Sequence, residues 1–264
     1  MAFSIDAFDS ILAHWSAESI TGLSNAANVT TQPDTGPHGC TLTGSAGNYP
    51  TYIASAKNGL PGIAFNGTNS RLTSTVALPT TGVANLGFSM VLRLPTVPKV
   101  FDGFFNLHAN SPGTGSNYAV FAGGGLIYCP ERPSYYQSLN TFPSAGSWIV
   151  LDGVLGEQFA IRNVDGKSSG TNVGNPPGVF SGNLKPTIGN SYSASQFGEF
   201  DLCELVLFDQ TELSESVWIT GHLAHKYAIT LDAKHPFYAA GPTTQPGASA
   251  GGVRSVNIRG GADQ

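Results

Sequence analysis

The sequence has few charged side chains and no cluster of basic ones. Asp, Glu, Lys and Arg together make up 11% of the 264 residues, whereas a typical soluble domain has about 25%. The 12 basic residues are scattered singly, and the formal net charge is −5. Because phosphate binding requires clustered Lys and Arg, this pattern excludes a nucleic-acid partner.

Cysteine and long apolar runs are also scarce. The three cysteines, Cys40, Cys129 and Cys203, are too few and too widely spaced for a disulfide framework or a zinc site with paired cysteines. No stretch reaches the roughly 18 consecutive apolar residues of a membrane-spanning helix. The first residues have neither the basic start nor the apolar run of a signal peptide. We therefore expect buried free thiols, no membrane contact, and synthesis in the cytoplasm.

Glycine, proline and short strand-like runs are abundant instead. The chain has 33 Gly and 17 Pro, and runs with alternating apolar side chains occur at 60–72, 88–94 and 147–156. The last of these is followed directly by another run at 157–166, as in a β-hairpin. Short strands separated by frequent turn signals are typical of an all-β sandwich or barrel.

A single helix is expected near the C-terminus. Trp218, Ile219, Leu223 and Tyr227 follow one another at near-helical spacing. Ser214 stands before them as a candidate N-cap. The sequence therefore predicts a β-protein with one late amphipathic helix.

The last part of the chain differs in composition from the rest. Residues 239–264 begin with a Gly- and Pro-rich stretch of the kind found in linkers. Val253, Val256 and Ile258 could then form one short strand. An extended segment of this kind can add a strand to the sheet edge of a neighbouring subunit. We therefore predict a domain at 1–238 and a docking tail at 239–264.

The segment at 197–231 carries a recognisable pattern, FGEFDLCELVLFDQTELSESVWITGHLAHKYAITL. It resembles the closing segment of the concanavalin A-like, laminin-G-like jelly-roll domains of bacteriophage virion proteins and bacterial surface proteins. The positions that match the pattern of that family are Glu204, Asp209, Leu213, Ser214, Leu223 and Lys226, while Tyr227 replaces its Trp.

The opening and the middle of the chain are similar to the same family, at 14–34, 49–72 and 148–166. The resemblance implies an all-β, two-sheet antiparallel jelly-roll sandwich with one late C-terminal helix and an extended tail. It leaves function open, because this fold serves lectins, hydrolases and structural proteins alike. The Asn-rich loop of the family is replaced by DTGPHG at 34–39. No cofactor is therefore predicted, and calcium lacks a ligand motif.

Glu199, Asp201 and Glu204 are the sharpest candidates for catalysis. Their Glu-x-Asp-x-x-Glu spacing resembles that of laminarinase-type glycoside hydrolases, which share the jelly-roll fold. Strand alternation with one bulge would aim all three carboxylates at one face, and a pair about 5–5.5 Å apart would suit a retaining mechanism.

The position of this motif argues against catalysis. In those hydrolases several strands follow the motif, whereas here only the helix and the tail follow it. We therefore predict that the chain is not an enzyme and keep hydrolysis as the alternative. A Glu204 without a catalytic role is expected to accept backbone N–H bonds or to pair with an Arg, because a buried carboxylate needs partners.

Two further groups of residues suggest binding sites. His222 and His225 lie one helical turn apart, with His235 beyond them, and such a pair can bind a metal ion. No carboxylate or thiol accompanies them at a suitable third position, so no metal site is predicted.

The second group is aromatic. Tyr128, Tyr135 and Tyr136 lie in a Pro-rich segment that also contains Phe142. Paired tyrosines suit stacking against a sugar, contact with another protein, or closure of the edge of the sandwich. These three interpretations stay open.

The combined features favour a structural or attachment protein of a virion. The chain would be a capsid-decoration, fibre or tail component of a bacteriophage, made in the host cytoplasm and located in the virion. Its partners would be other virion proteins, bound through the tail, copies of itself in a homo-oligomer, and a cell-surface glycan. Many weak glycan sites on one particle would gain avidity. The alternatives are a free carbohydrate-binding lectin domain and the glycoside hydrolase.

Overall fold

The structure is a computed structural model. It describes residues 3–96, 102–109, 117–123, 126–128, 144–156, 160–168, 180, 182–190, 196–209 and 213–243. Within these residues the chain is mostly β, and its one α-helix lies near the C-terminus. The predicted fold class is confirmed.

The described residues form fifteen strands, two 3-10 turns and one α-helix. In chain order the strands are β1 (Ile11–Ser16), β2 (Thr31–Gln32), β3 (Leu42–Thr43), β4 (Thr51–Lys57), β5 (Leu60–Asn66), β6 (Leu72–Ser74), β7 (Asn85–Arg93), β8 (Asp102–His108), β9 (Asn117–Gly123), β10 (Leu126–Tyr128), β11 (Trp148–Gly156), β12 (Ala160–Val164), β13 (Lys167–Ser168), β14 (Lys185–Ile188) and β15 (Glu199–Asp209). The 3-10 turns are Ile5–Ala7 and Ala17–Ser19, and the helix α1 is Leu213–Lys226.

The strands form two antiparallel sheets. The first sheet has the order β13-β12-β11-β7-β15-β5-β4. β15 pairs with β5 along residues 199–202 and with β1 along residues 204–208. The second sheet has the order β10-β9-β8-β14-β6-β3-β2. The hairpin predicted for 147–166 is present as the β11–β12 pair.

The main core lies between the two sheets, because alternate residues of each strand point toward the facing sheet. On β15 the residues that point inward are Phe200, Leu202, Leu205 and Leu207. Aromatic rings join the two sheets across this core. Phe104 of the second sheet packs edge-on against Phe200 of the first, with ring centroids 5.3 Å apart.

The helix covers the outer face of the first sheet and forms a second apolar cluster there. Ile219 and Leu223 of α1, and Tyr227 directly after it, are fully buried against Val206 and Phe208 of β15. The helix is present as predicted, but it begins at Leu213, so the serine predicted to cap it lies inside its first turn. No helix among the described residues is long and apolar enough to span a membrane.

Several predictions concern residues that the structure does not describe. Tyr135, Tyr136 and Phe142 lie outside the described residues, and so does the tail beyond residue 243, with Val253, Val256 and Ile258. The division of the chain into 1–238 and 239–264 stays a prediction.

Candidate functional site

A bulge on β15 decides which way its carboxylates point. Leu202 lies opposite Leu92 of β7 and Glu204 lies opposite Val91, so Cys203 is an extra residue in β15. Because of this extra residue, Glu199, Asp201 and Glu204 all lie on the outer face of the first sheet, the face that α1 covers.

Glu204 is fully buried and surrounded by donors. Its Oε1 atom accepts a hydrogen bond from His14 Nε2 at 2.8 Å. Its Oε2 atom accepts bonds from Lys226 Nζ at 2.6 Å and Tyr227 Oη at 2.7 Å, with Ser16 Oγ at 3.4 Å. The expected backbone donors or arginine are replaced by a histidine, a lysine and a tyrosine. Two of these, Lys226 and Tyr227, lie at the end of α1 and directly after it. They are 22 and 23 residues from Glu204 along the chain, so a pattern within β15 does not predict the contact.

The charges of this group are strongly coupled. Burial alone would raise the pKa of Glu204, but the hydrogen bond from His14 and the charge of Lys226 outweigh it and lower the pKa to about 2. Burial alone would lower the pKa of His14, but its bonds to Asp6, at 2.6 Å, and to Glu204 raise the pKa to about 9. At neutral pH the carboxylate is therefore ionised and the imidazole is protonated.

Lys226 closes the group by also pairing with Glu18. We call these residues the Glu204 network; its members are Asp6, His14, Glu18, Glu204, Lys226 and Tyr227. They belong to the two 3-10 turns, β1, β15, the last residue of α1 and the residue directly after it. The arrangement fastens the first strand and the helix to the same position of β15.

The other two carboxylates of the motif have different partners. Asp201 accepts a 2.7 Å bond from Arg93 Nε and a second bond from the same guanidinium. Burial raises the pKa of Asp201, while the bond to Arg93 and its charge act in the opposite direction. Glu199 is half-buried and accepts a 3.3 Å bond from Thr96 Oγ1. The strand thus brings the three carboxylates to one face, and each is held by its own partners.

The three histidines near the C-terminus have separate contacts. His225 Nε2 lies 2.6 Å from the carbonyl oxygen of Phe237, and His235 Nδ1 accepts a 3.2 Å bond from the backbone N–H of that residue. His222 packs against the ring of Phe3 at 4.7 Å. Within the described stretches, no group of three or more His, Cys, Asp or Glu residues is placed to hold a metal ion.

Of the predicted aromatic group, the structure places only the backbone of Tyr128. It lies at the end of β10, at one edge of the second sheet, opposite Phe121 of β9. Its side chain is among those that the structure does not describe.

The outer face of the second sheet carries an ordered set of polar side chains. Five strands place one hydroxyl or amide residue each in direct register, and we call this set the threonine row; its members are Thr31, Thr43, Thr73, Thr187 and Asn106. Neighbouring strands are about 4.8 Å apart, so five positions extend over roughly 19 Å. That is the length of a short linear oligomer.

Strand alternation explains why these residues face outward. Leu42, Leu72 and Ile188 are their immediate neighbours along the chain, and all three are buried in the core between the sheets. The row is exposed at Thr31 and Thr43 and becomes buried at its other end.

A chain of hydrogen bonds runs through the buried half of the row. His108 Nε2 lies 3.0 Å from Thr187 Oγ1, and Thr187 Oγ1 donates to Thr73 Oγ1 at 3.2 Å. Because the threonine proton is used in that second bond, Nε2 must donate to the threonine, and Nδ1 is left as an acceptor. Nδ1 is buried and has no hydrogen-bond partner among the described residues.

The charges beside the row are positive. Lys185 lies directly opposite His108 in the β8–β14 register, and Arg71 precedes β6. Burial and the charges of these two residues lower the pKa of His108 to about 4, so the imidazole is neutral at pH 7. Lys185 and Arg71 are half-buried, and neither forms an ion pair with any residue that the structure describes.

Comparisons with known proteins show similarity in fold only. No family model matches the sequence, and no relative is found among curated proteins. Three solved structures illustrate the similarity in fold. Trypanosoma rangeli sialidase in complex with sialic acid has a TM-score of 0.56 at 13% identity, covering 84% of this chain and 34% of that one.

The other two structures have similar values. An arabinofuranosidase complexed with arabinofuranosyl-alpha-1,2-xylobiose has a TM-score of 0.55 at 15% identity, covering 85% of this chain and 60% of that one. The binding domain of Paraclostridial Mosquitocidal Protein 1 has a TM-score of 0.51 at 12% identity, covering 81% of this chain and 51% of that one. The chain therefore spans only part of the length of each protein.

These neighbours correct one prediction and leave others untested. The prediction that the chain is not an enzyme is wrong, because a sialidase and an arabinofuranosidase match it in fold, and the fold is compatible with a glycoside hydrolase. None of the three is a virion protein by name, so the virion role and location stay predictions. What the comparisons establish is a β-sandwich of a kind shared with a sialidase, an arabinofuranosidase and a toxin binding domain.

Proposed function

We propose that this β-sandwich binds a glycan along the threonine row of its second sheet. The observation that carries the proposal is the direct register of five hydroxyl and amide side chains across five strands. The names of the neighbours in fold support it, since one was solved with sialic acid and another with an arabinofuranosyl-xylobiose.

The chemistry of the row suits a sugar. Threonine hydroxyls both donate and accept hydrogen bonds, and so do amide side chains such as that of Asn106. Sugar hydroxyls present the same mixture of donors and acceptors along a chain, so a row with regular spacing can pair with several of them. The outer face of the first sheet is occupied by α1, whereas the outer face of the second sheet is exposed at the Thr31 and Thr43 end of the row.

The exposure of the row indicates how a glycan would lie. The exposed end at Thr31 and Thr43 would contact the part of the glycan that remains near solvent. From there it would reach the half-buried Thr73, because Thr187 and Asn106 beyond it are fully buried.

The test is a glycan array probed with the full chain, followed by calorimetric titration of the best ligand. Replacing Thr43 and Thr73 together by Val removes two hydroxyls with little change in shape. It also removes the acceptor of the Thr187 hydroxyl, so thermal unfolding has to verify that the variant is folded. At about 0.5–1.5 kcal/mol for each hydrogen bond, the two losses together should lower the affinity by about five-fold to about 150-fold. Thr51→Val, on β4 of the first sheet, is the matched control.

Three results decide this proposal. A binding loss confined to the Thr43 and Thr73 variant supports the row as the site. Equal affinity of that variant and the control moves any glycan site elsewhere. No ligand on the array for the folded wild-type chain overturns the proposal. Because the fold is compatible with hydrolysis, reducing ends released from each bound glycan should be measured in the same samples.

We further propose that this sandwich is carried on a virion or another particle that contains many copies of it. Its support is the composition of residues 239–264 and the avidity that many weak glycan sites would gain. Light scattering of the full chain and of a chain ending at residue 243 tests it. The proposal expects the full chain to form oligomers and the shortened chain to be monomeric, and it fails if both have the same mass.

A further inference from the structure

We propose that the glycan bound along the threonine row is acidic, and that Lys185 and Arg71 bind its carboxylate or sulfate groups. The inference rests on the proposed function and adds the class of glycan to it. It is carried by two cations, with no ion-pair partner in the part of the chain that the structure describes, that lie on either side of a neutral, hydrogen-bonding row.

The register of β6 and β14 fixes the two positions. Thr187 and Thr73 are opposite each other, and the two strands run in opposite directions. Lys185 is two residues before Thr187 and Arg71 is two residues before Thr73, so the two cations lie on opposite sides of the row. Each is about 6.7 Å along its strand from the row, within reach of a long side chain. A ligand lying in the row would therefore have one cation along each edge.

Among the described residues, the charges that act on the buried half of the row are positive although the chain as a whole is acidic. The formal net charge of the chain is −5, yet both charges that act on His108 are positive. Lys226, in contrast, is neutralised by Glu18 and Glu204, and Arg93 is neutralised by Asp201. Half-buried cations without a counter-ion attract an anion more strongly than fully solvated ones, because water screens them less.

Arginine adds a geometric preference. Its planar guanidinium can donate two parallel hydrogen bonds to a carboxylate or a sulfate, whereas lysine acts as a point charge. A neutral sugar would leave both cations without a counter-charge. The row then supplies hydrogen bonds to the sugar hydroxyls, and the cations on either side select for the acidic groups.

The test uses matched pairs of oligosaccharides that differ only in charge. Tetragalacturonate is compared with its methyl ester, and a chondroitin sulfate tetrasaccharide with its desulfated form, by titration into the full chain at low salt. The inference expects at least ten-fold tighter binding of the charged member of at least one pair, and a loss of that preference as salt is raised. The pair that shows the preference identifies carboxylate or sulfate as the group bound.

The variant Lys185→Gln with Arg71→Gln removes the two cations and should abolish the preference for charge. The matched control, Lys57→Gln with Lys234→Gln, removes two positive charges that also form no ion pair in the described residues, and should keep the preference. Thermal unfolding of both variants verifies that they are folded.

The outcomes separate this inference from the function on which it rests. If charged and uncharged members bind equally well, or if the control loses the preference as fully as the test variant, the glycan is not selected by Lys185 and Arg71. The proposed function then still stands. If no oligosaccharide binds here and none is found on the array, the proposed function itself has failed.

Discussion

Glu204 keeps a full negative charge inside the protein because the side chains bonded to its carboxylate donate hydrogen bonds or carry a positive charge. His14 and Lys226 supply the charges, and Tyr227 supplies a neutral donor. Removing one member of such a group leaves the others buried without compensation. Single substitutions here should therefore cost more than substitutions of exposed carboxylates.

The first prediction concerns Glu204→Gln. An amide keeps the size of the side chain but removes the counter-charge of His14 and Lys226, so the free energy of unfolding should fall by about 3–5 kcal/mol. Urea unfolding measures this change. Glu199→Gln, at a half-buried position on the same strand, should stay within about 0.5 kcal/mol of wild type. Equal stabilities for the two variants would show that the Glu204 network does not hold the fold together.

The same two variants examine the role of the motif in chemistry. If the chain hydrolyses a glycan, and if Glu204 is only structural, then residual activity should follow the fraction of folded protein. Activity lost from fully folded Glu204→Gln protein would instead assign a catalytic role to the carboxylate.

The second prediction concerns pH. The pKa of His14 is raised to about 9, from about 6.5 in the unfolded chain. Its contribution to stability is therefore complete below about pH 6.5 and is lost as the pH rises through 9. The pKa of Glu204 is lowered to about 2, so its contribution is complete above about pH 4.5 and is lost as the pH falls through 2.

Comparison of wild type with His14→Gln isolates the histidine. The difference in unfolding free energy between the two proteins should be largest near pH 6 and should narrow steadily between pH 6.5 and 9.5. Urea unfolding at several pH values measures it. A difference that is constant over this range would mean that His14 is not protonated in the folded protein.

Among the elements, β15 has the central role, and its neighbour β7 shows how closely the backbone is packed against it. A Cβ atom on Gly87 of β7 would lie 2.2 Å from the ring of Phe208 of β15. One edge of the ring therefore lies directly against the backbone of the neighbouring strand, in the apolar cluster that α1 forms with the first sheet. Only glycine leaves space for this contact.

The third prediction follows from that contact. Gly87→Ala should destabilise the protein by about 1–3 kcal/mol or more, because the buried ring has to move. Gly182→Ala is the control, since a Cβ atom there would have no neighbour within 4 Å. Thermal unfolding of both variants tests the difference, and similar melting temperatures would contradict the proposed packing.

The elements differ in how far the sequence predicts them. The run at 147–156 alternates apolar residues and corresponds to β11, and the apolar spacing of residues 218–227 predicts α1. The three carboxylates of β15 could be placed on one face because they lie on one strand. The partners of Glu204 could not be predicted, because His14 is 190 residues away along the chain.

The threonine row could not be predicted for a related reason. Each member is an ordinary polar residue of a short strand, and β2 and β3 have only two residues each. The row exists only when five strands are in the correct register, and register between distant strands depends on the whole core. The sequence pattern of a single strand therefore does not predict the register between these five strands.

On the scale of the whole molecule, the two sheets divide the polar groups between two outer faces. The Glu204 network lies on the outer face of the first sheet, and the threonine row lies on the outer face of the second. The core between the sheets separates them. Substitutions in the two groups should therefore act independently, as expected for sites that share no partner.

The fourth prediction tests this independence. His14→Gln should lower the free energy of unfolding and leave the affinity for a glycan unchanged under conditions where the protein is folded. The Thr43 and Thr73 valine variant should weaken binding, and the combination should show both effects with additive sizes. Titration and urea unfolding of the four proteins form the complete cycle. Coupling larger than about 0.5 kcal/mol in either quantity would show that the faces communicate.

The pairing of β1 with β15 has a consequence for biosynthesis. Ile11–Ser16 leaves the ribosome early, but the strand beside which it lies, Glu199–Asp209, is made much later. The apolar side chains of β1 therefore stay exposed, or bound by a chaperone, until nearly the whole domain has left the ribosome. Folding of this sandwich is then completed after translation of α1, and chains stalled before that point would be prone to aggregate.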